Sequence, residues 1–91
     1  MVCSEENENV RWQVYLLRCA DKTMYCGITT DIARRIEKHH AGKGAKYTRS
    51  RLPVTLVAAG RGLSKSDALA LERCIKRAPA GNKLALLQRR S

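Results

Sequence analysis

Phenylalanine is absent from this chain, and the other aromatics number only one Trp and three Tyr. A hydrophobic core must therefore be assembled mainly from Leu, Ile, Val and Ala. Acidic residues are scarce, eight against eighteen Lys and Arg. No segment approaches the ~20 consecutive apolar residues that a membrane-crossing helix needs. No helix pattern is basic on one side and richly apolar on the other, which argues against a surface-lying membrane helix. The four cysteines (Cys3, Cys19, Cys26, Cys74) include no Cys-x-x-Cys pair, which argues against structural zinc and for free thiols. The N-terminus has no basic stretch followed by an apolar one, so a secretory signal is not expected, and a cytoplasmic setting is.

What is present is positive charge. The formal net charge is +10, and residues 1–10 hold Glu5, Glu6 and Glu8 with no Lys or Arg, so the remaining 81 residues carry +13. Such a surplus repels itself and concentrates polyanions around the protein. Nucleic acid is the first partner to consider, ahead of a membrane surface. We expect residues 1–10 to form a disordered acidic tail and residues 11–91 to form a single domain of modest stability.

Strand formers occupy residues around 12–19, and Ala20 to Thr23 supply a turn. Met24-Tyr25-Cys26-Gly27-Ile28 then reads as the return strand. Thr30 and Asp31 offer N-cap oxygens for a helix to about Ala41, with Ile32 and Ile36 on its buried stripe and Gly42 as its stop. Residues 42–51 have no apolar period and read as a basic loop. A third strand covers 53–59, with Pro53 at its first residue. Ser64 and Asp67 resemble a capping box for a helix to about Arg77, which Pro79 and Gly81 would end. A last short helix would run from about Asn82 to Arg89. The expected fold is α+β, a three-stranded antiparallel sheet flanked by helices in one layer pair.

Three places have chemical potential. Arg35 and His39 lie four apart on one helix face. Following a hairpin that bears Tyr15 and Tyr25, they suit a scissile phosphate and a proton transfer, although alone they fit a solvated basic face better. Glu72 is the one acid inside the second long helix. It could anchor a divalent ion shared with substrate phosphates, yet taken alone an i,i+4 ion pair with Lys76 is the simpler account. The loop packs Lys43, Lys46, Arg49 and Arg51 into nine residues with no acid among them. These suit phosphate contacts, with Tyr47 available to stack on a base.

Together these residues resemble the GIY-YIG nuclease superfamily, in particular its small stand-alone YhbQ-like (UPF0213) group. Val14-Tyr15-Leu16 stands where the Gly-Ile-Tyr motif lies, and Tyr25-Cys26-Gly27 where Tyr-Ile-Gly lies. Arg34-Arg35, His39, the run from Gly42 to Arg49, and Glu72 continue the pattern in order across most of the chain. Lys22 occupies a turn position where Gly is frequent. The resemblance implies hydrolysis of a phosphodiester, in DNA before RNA, with a single Mg²⁺ or Mn²⁺ on Glu72. It further implies Tyr15 or Tyr25 helping to deprotonate water, Arg35 stabilising charge on phosphorus, and His39 moving a proton or orienting a tyrosine. A non-cleaving nucleic-acid-binding module and an RNA-associated structural protein are the rival readings. A shared site requires both tyrosines on one face of the hairpin. A four-residue turn pairing Cys19 with Met24 would separate them, and an odd-length turn or a bulge would unite them.

Overall fold

A computed structural model describes residues 11–90 of the chain; the expected acidic tail and Cys3 lie outside them. Three strands, β1 (Gln13–Arg18), β2 (Met24–Thr29) and β3 (Thr55–Ala59), form an antiparallel sheet in the order β2-β1-β3. Four helices accompany it: α1 (Ile32–His40), α2 (Lys46–Arg49), α3 (Lys65–Arg77) and α4 (Ala80–Arg90). The α+β class and the three-stranded sheet are as the sequence predicts. The single layer pair is not, because helices cover both faces.

The central strand explains why. Val14, Tyr15, Leu16 and Leu17 are all buried, and successive side chains of a strand point to opposite faces. One face gathers Val14, Leu16 and Cys26 with Ala68, Leu71 and Ile75 of α3 and Leu87 of α4. The other gathers Tyr15, Leu17, Cys19 and Val54, with Tyr25 and with Ile32 and Ile36 of α1 packed against them. A chain without Phe thus builds two thin aliphatic cores on one strand.

Local signals set the boundaries. The Asp31 carboxylate caps α1 by accepting from the Arg34 amide at 3.1 Å. Gly42, at φ +76°, ends that helix. Its amide bonds the His39 carbonyl, and the Lys43 amide bonds that of Lys38, the paired closure that a left-handed residue allows. Ser64 caps α3 through the Asp67 amide. Two boundaries differ from expectation. Pro79 alone stops α3 by holding Ala78 extended. Gly81 does not stop it, because it lies in the first turn of α4, which starts at Ala80. The third strand starts at Thr55, so Pro53 precedes the ladder and its missing N–H breaks no strand pairing.

The hairpin register decides the placement of the tyrosines. Arg18 pairs with Met24, leaving the five residues 19–23 as the connection. Lys22 adopts φ +71° there, a left-handed conformation that costs a side-chain-bearing residue more than Gly. The odd count sets Tyr25 across from Leu17 and Gly27 across from Tyr15. Tyr15 and Tyr25 therefore share one face.

Candidate active site

Tyr15 stands on the central strand at 1% exposure, and Gly27 makes room for it. A Cβ at Gly27 would sit 2.6 Å from the Tyr15 hydroxyl and 2.8 Å from its Cζ. Any side chain there would push the ring away. Tyr25 lies beside it, ring centroids 6.3 Å apart. From α1, Arg35 Nε donates to the Tyr15 hydroxyl at 3.2 Å. His39 Nε2 lies 3.1 Å from the same hydroxyl, and the His39 ring meets the Tyr25 ring edge-on at 5.5 Å. The four-residue spacing of Arg35 and His39 thus points both at one tyrosine.

His39 is not on a solvated face; it is fully buried, as is Thr48. Two acceptors lie in reach of the one Thr48 hydroxyl proton, the Ala45 carbonyl at 3.0 Å and His39 Nδ1 at 2.8 Å. When the carbonyl takes it, Thr48 can only accept from His39, so the neutral ring carries its proton on Nδ1 and turns a bare Nε2 to Tyr15. In that tautomer hydrogen bonds run from Arg35 to Tyr15 to His39, and from His39 to Thr48 to the Ala45 carbonyl. Among the described residues no buried side-chain polar atom is left without a partner.

Electrostatics keep the resting pair neutral and hold the proton on the tyrosine until substrate charge is in place. Burial holds the His39 imidazole below its ordinary value of 6.5, and the Arg35 charge and then His40 push the same way. Burial raises the Tyr15 phenol above 10.0, against the opposing hydrogen bond from Arg35. Both groups are neutral at pH 7, with a proton on the tyrosine and an acceptor facing it.

Beside Arg35 a cleft of about 420 Å³ is lined by Trp12, Ile28, Thr29, Thr30, Arg34, Arg35 and Lys38, and by one acid, Asp31, whose carboxylate caps α1. Three cations and two hydroxyls in one cleft suit a phosphate. Lys43, Lys46 and Arg49 are exposed nearby in the chain, as the reading of a basic loop requires. That loop nonetheless contains the one-turn helix α2. Gly44 makes room for His39: a Cβ on it would come within 2.9 Å of the ring carbons Cγ and Cε1. Tyr47 and Arg51 already have partners. The Arg51 guanidinium lies 4.0 Å from the Tyr47 ring centroid, and the Tyr47 ring stacks on Tyr25. A base or a phosphate would have to compete for both.

Tyr15, Tyr25, Arg35 and His39 are therefore in direct contact, whereas Glu72 is not. Glu72 sits on α3, across the sheet, and pairs with Lys76 at 3.5 Å, the geometry of the simpler account. Its link to the tyrosines is indirect, through the Lys76 ammonium 5.7 Å from the Tyr25 ring centroid. Among the described residues no three His, Cys, Asp or Glu converge as a metal cage. The donor set still fits Mg²⁺ or Mn²⁺, because such ions accept one carboxylate and fill their remaining positions with water and substrate oxygens. Glu72 offers a carboxylate with only one loose partner. Thr48, Gly27, Gly44 and Lys76 are the site residues to which the sequence assigned no such part. Thr48 in particular gives no signal within an aperiodic polar run.

With this geometry in place, the likeness to known proteins can be stated. A family model described as the GIY-YIG catalytic domain matches residues 11–84. A UPF0213 protein of Nitratidesulfovibrio vulgaris is 50% identical over 76 residues, covering 84% of this chain and 69% of the relative. One from Cupriavidus pinatubonensis is 49% identical over 75 residues, covering 82% and 83%. The solution NMR structure of a UPF0213 protein from Bacillus halodurans shares 45% identity with a TM-score of 0.52, covering 85% of this chain and 82% of that one. A family match across most of the chain, joined to the paired tyrosines and the arginine of α1, places this protein in the GIY-YIG family, among relatives of the UPF0213 group.

Proposed function

We propose that this protein is a divalent-metal-dependent endonuclease that hydrolyses phosphodiester bonds, in DNA before RNA. Membership of the family makes it a nuclease-type domain with nucleic acid as its general substrate class, and such nucleases generally use divalent metal ions. The single observation that carries the finer reading is buried His39, its Nε2 3.1 Å from the Tyr15 hydroxyl that Arg35 also touches.

Phosphate enters the cleft of Arg34, Arg35 and Lys38, while Lys43, Lys46 and Arg49 hold the flanking backbone. The Tyr15 proton passes to His39 Nε2, and Thr48 keeps the imidazole oriented for it. The phenolate oxygen accepts a proton from water as the water oxygen bonds to phosphorus and the ester bond to the leaving oxygen breaks; the departing oxygen takes its proton from solvent, and His39 returns its own to solvent. Arg35 stabilises the phenolate first and the charge on the phosphoryl oxygens next. Tyr25, half-buried beside them, borders the reacting group. Glu72 would hold Mg²⁺ or Mn²⁺, which would neutralise charge on the substrate phosphate.

The Glu72–Lys76 pair favours a second reading, a binding module on the same scaffold. One experiment separates the two. Purified protein and its Glu72→Gln variant are incubated with single-stranded, duplex and branched DNA and with RNA, in Mg²⁺, Mn²⁺ or EDTA. The endonuclease reading expects cleavage that needs the ion and is lost in Glu72→Gln at unchanged affinity. Cleavage by the variant at the wild-type rate contradicts the role of Glu72, and binding without cleavage in either ion leaves the binding module.

A further inference from the structure

Arg51 is held in a way that a free phosphate ligand would not be. Its Nε donates to Asp21 Oδ2 at 2.8 Å, and another guanidinium nitrogen donates to the Tyr47 carbonyl at 2.8 Å. The guanidinium carbon lies over the Tyr47 ring, 4.0 Å from its centroid. Its backbone is tied as well, because the Ala20 amide bonds the Arg51 carbonyl at 2.9 Å. Tyr47 in turn stacks on Tyr25, centroids 5.9 Å apart and planes inclined by 29°. Lys76, paired with Glu72, also lies against the Tyr25 ring, 5.7 Å from its centroid. Each of the two stacked tyrosine rings thus has a cation against it, and each cation has its own carboxylate.

We infer that Arg51 is a positioning residue, which holds Tyr47 against Tyr25 and so sets the Tyr25 ring in the active site, with Asp21 of the hairpin turn as its anchor. The inference rests on the nucleolytic reading of Tyr25. Three features require such a device. Tyr25 lies on β2, an outer strand of the sheet, so no further strand walls its ring. Tyr47 is carried by α2, a four-residue helix, far shorter than a helix that keeps its shape unaided. A planar guanidinium can stack on a ring while its edge donates to two oxygens, which an ammonium cannot do. The alternative, Arg51 as a phosphate ligand, makes the opposite demand on Asp21: its carboxylate would oppose binding.

Two substitutions in the full chain distinguish them. Asp21→Asn retains the oxygen that accepts from the Thr23 amide and hydroxyl, so the turn survives, while an NH₂ group replaces the partner of Arg51. Arg51→Lys keeps the charge and gives up the planar fork. Nuclear Overhauser contacts between the Tyr47 and Tyr25 rings are compared with wild type, and binding and single-turnover cleavage of DNA in Mg²⁺ are measured beside them. The clamp predicts weakened ring contacts in both variants. It also predicts a rate at saturation reduced roughly two- to fivefold, as a surface ion pair and a cation–ring contact allow, at unchanged affinity. Wild-type ring contacts in both variants overturn it. Tighter binding by Asp21→Asn with full cleavage at saturation overturns it in favour of a phosphate contact. If the wild-type protein fails to cleave, the nuclease reading fails alone, because the ring contacts still decide whether Arg51 orders the pair.

Discussion

The two faces of β1 do different work with alternating residues of a single strand. The Val14–Leu16 face meets α3 and α4 through aliphatic side chains and Cys26, a buried thiol pushed up to about 12, chiefly by desolvation. The Tyr15–Leu17 face meets α1 and the α2 segment, and there two fully buried polar residues, His39 and Thr48, are knitted to a tyrosine. The first face gains from burial alone, at about 25 cal/mol per Å² of apolar surface. The second must satisfy each buried polar atom or lose the benefit. Stability should therefore be concentrated on one face and chemistry on the other.

The largest effects test that division. Leu16→Ala, on the aliphatic face, should lower unfolding free energy by about 2–5 kcal/mol, a large share of what a domain of this size has. Denaturant titration measures it. Arg35→Ala, on the other face, should cost little stability and reduce single-turnover cleavage at saturating DNA by about 10²-fold or more. An Arg35 variant that loses affinity but cleaves at full rate would make this arginine a substrate-holding group only. Thr48→Val joins the two scales. The valine fills the same space but gives His39 Nδ1 no acceptor, so stability should fall by about 1–3 kcal/mol. The rate should fall by about tenfold as the imidazole loses its fixed tautomer.

A smaller effect concerns pH. The native His39 value lies below the ordinary 6.5 because the ring is buried beside Arg35. As pH falls through that window the unfolded chain binds a proton that the native state refuses, so stability declines with falling pH. Unfolding measured from pH 8 down to pH 5 should show this slope, and His39→Gln should flatten it. Cleavage should persist below pH 6.5, until the native imidazole itself is protonated and can no longer accept from Tyr15. The smallest effect lies outside both faces. Replacing Lys46 and Arg49 with Ala should flatten the slope of log K against log salt by roughly 2 on duplex DNA if both touch phosphate. An unchanged slope would confine those cations to solubility.

Much of this architecture is legible in the sequence, because the signals are local. Asp31 and Ser64 cap helices with their own side chains, Gly42 closes one, and the spacing of Arg35 and His39 puts them on one face. What escapes the sequence depends on register or on distance. The number of residues in the hairpin connection decides whether the tyrosines meet, and strand propensity does not fix that number. Thr48 looks like a solvated hydroxyl among lysines until α2 brings it against His39. Arg51 looks like a phosphate ligand, since its partner Asp21 lies thirty residues earlier in the chain. Gly81 reads as a helix stop, and only Pro79 before it shows that a new helix has begun.

The central claim is that His39 waits, neutral and with Nε2 bare, for the proton of Tyr15. Long-range ¹H–¹⁵N correlation spectra of the ¹⁵N-labelled protein at pH 7 read the two imidazole nitrogens directly. The account predicts that His39 carries its proton on Nδ1, facing Thr48, with Nε2 unprotonated. A proton found on Nε2 would make His39 a donor to Tyr15, unable to take its proton, and would contradict the account.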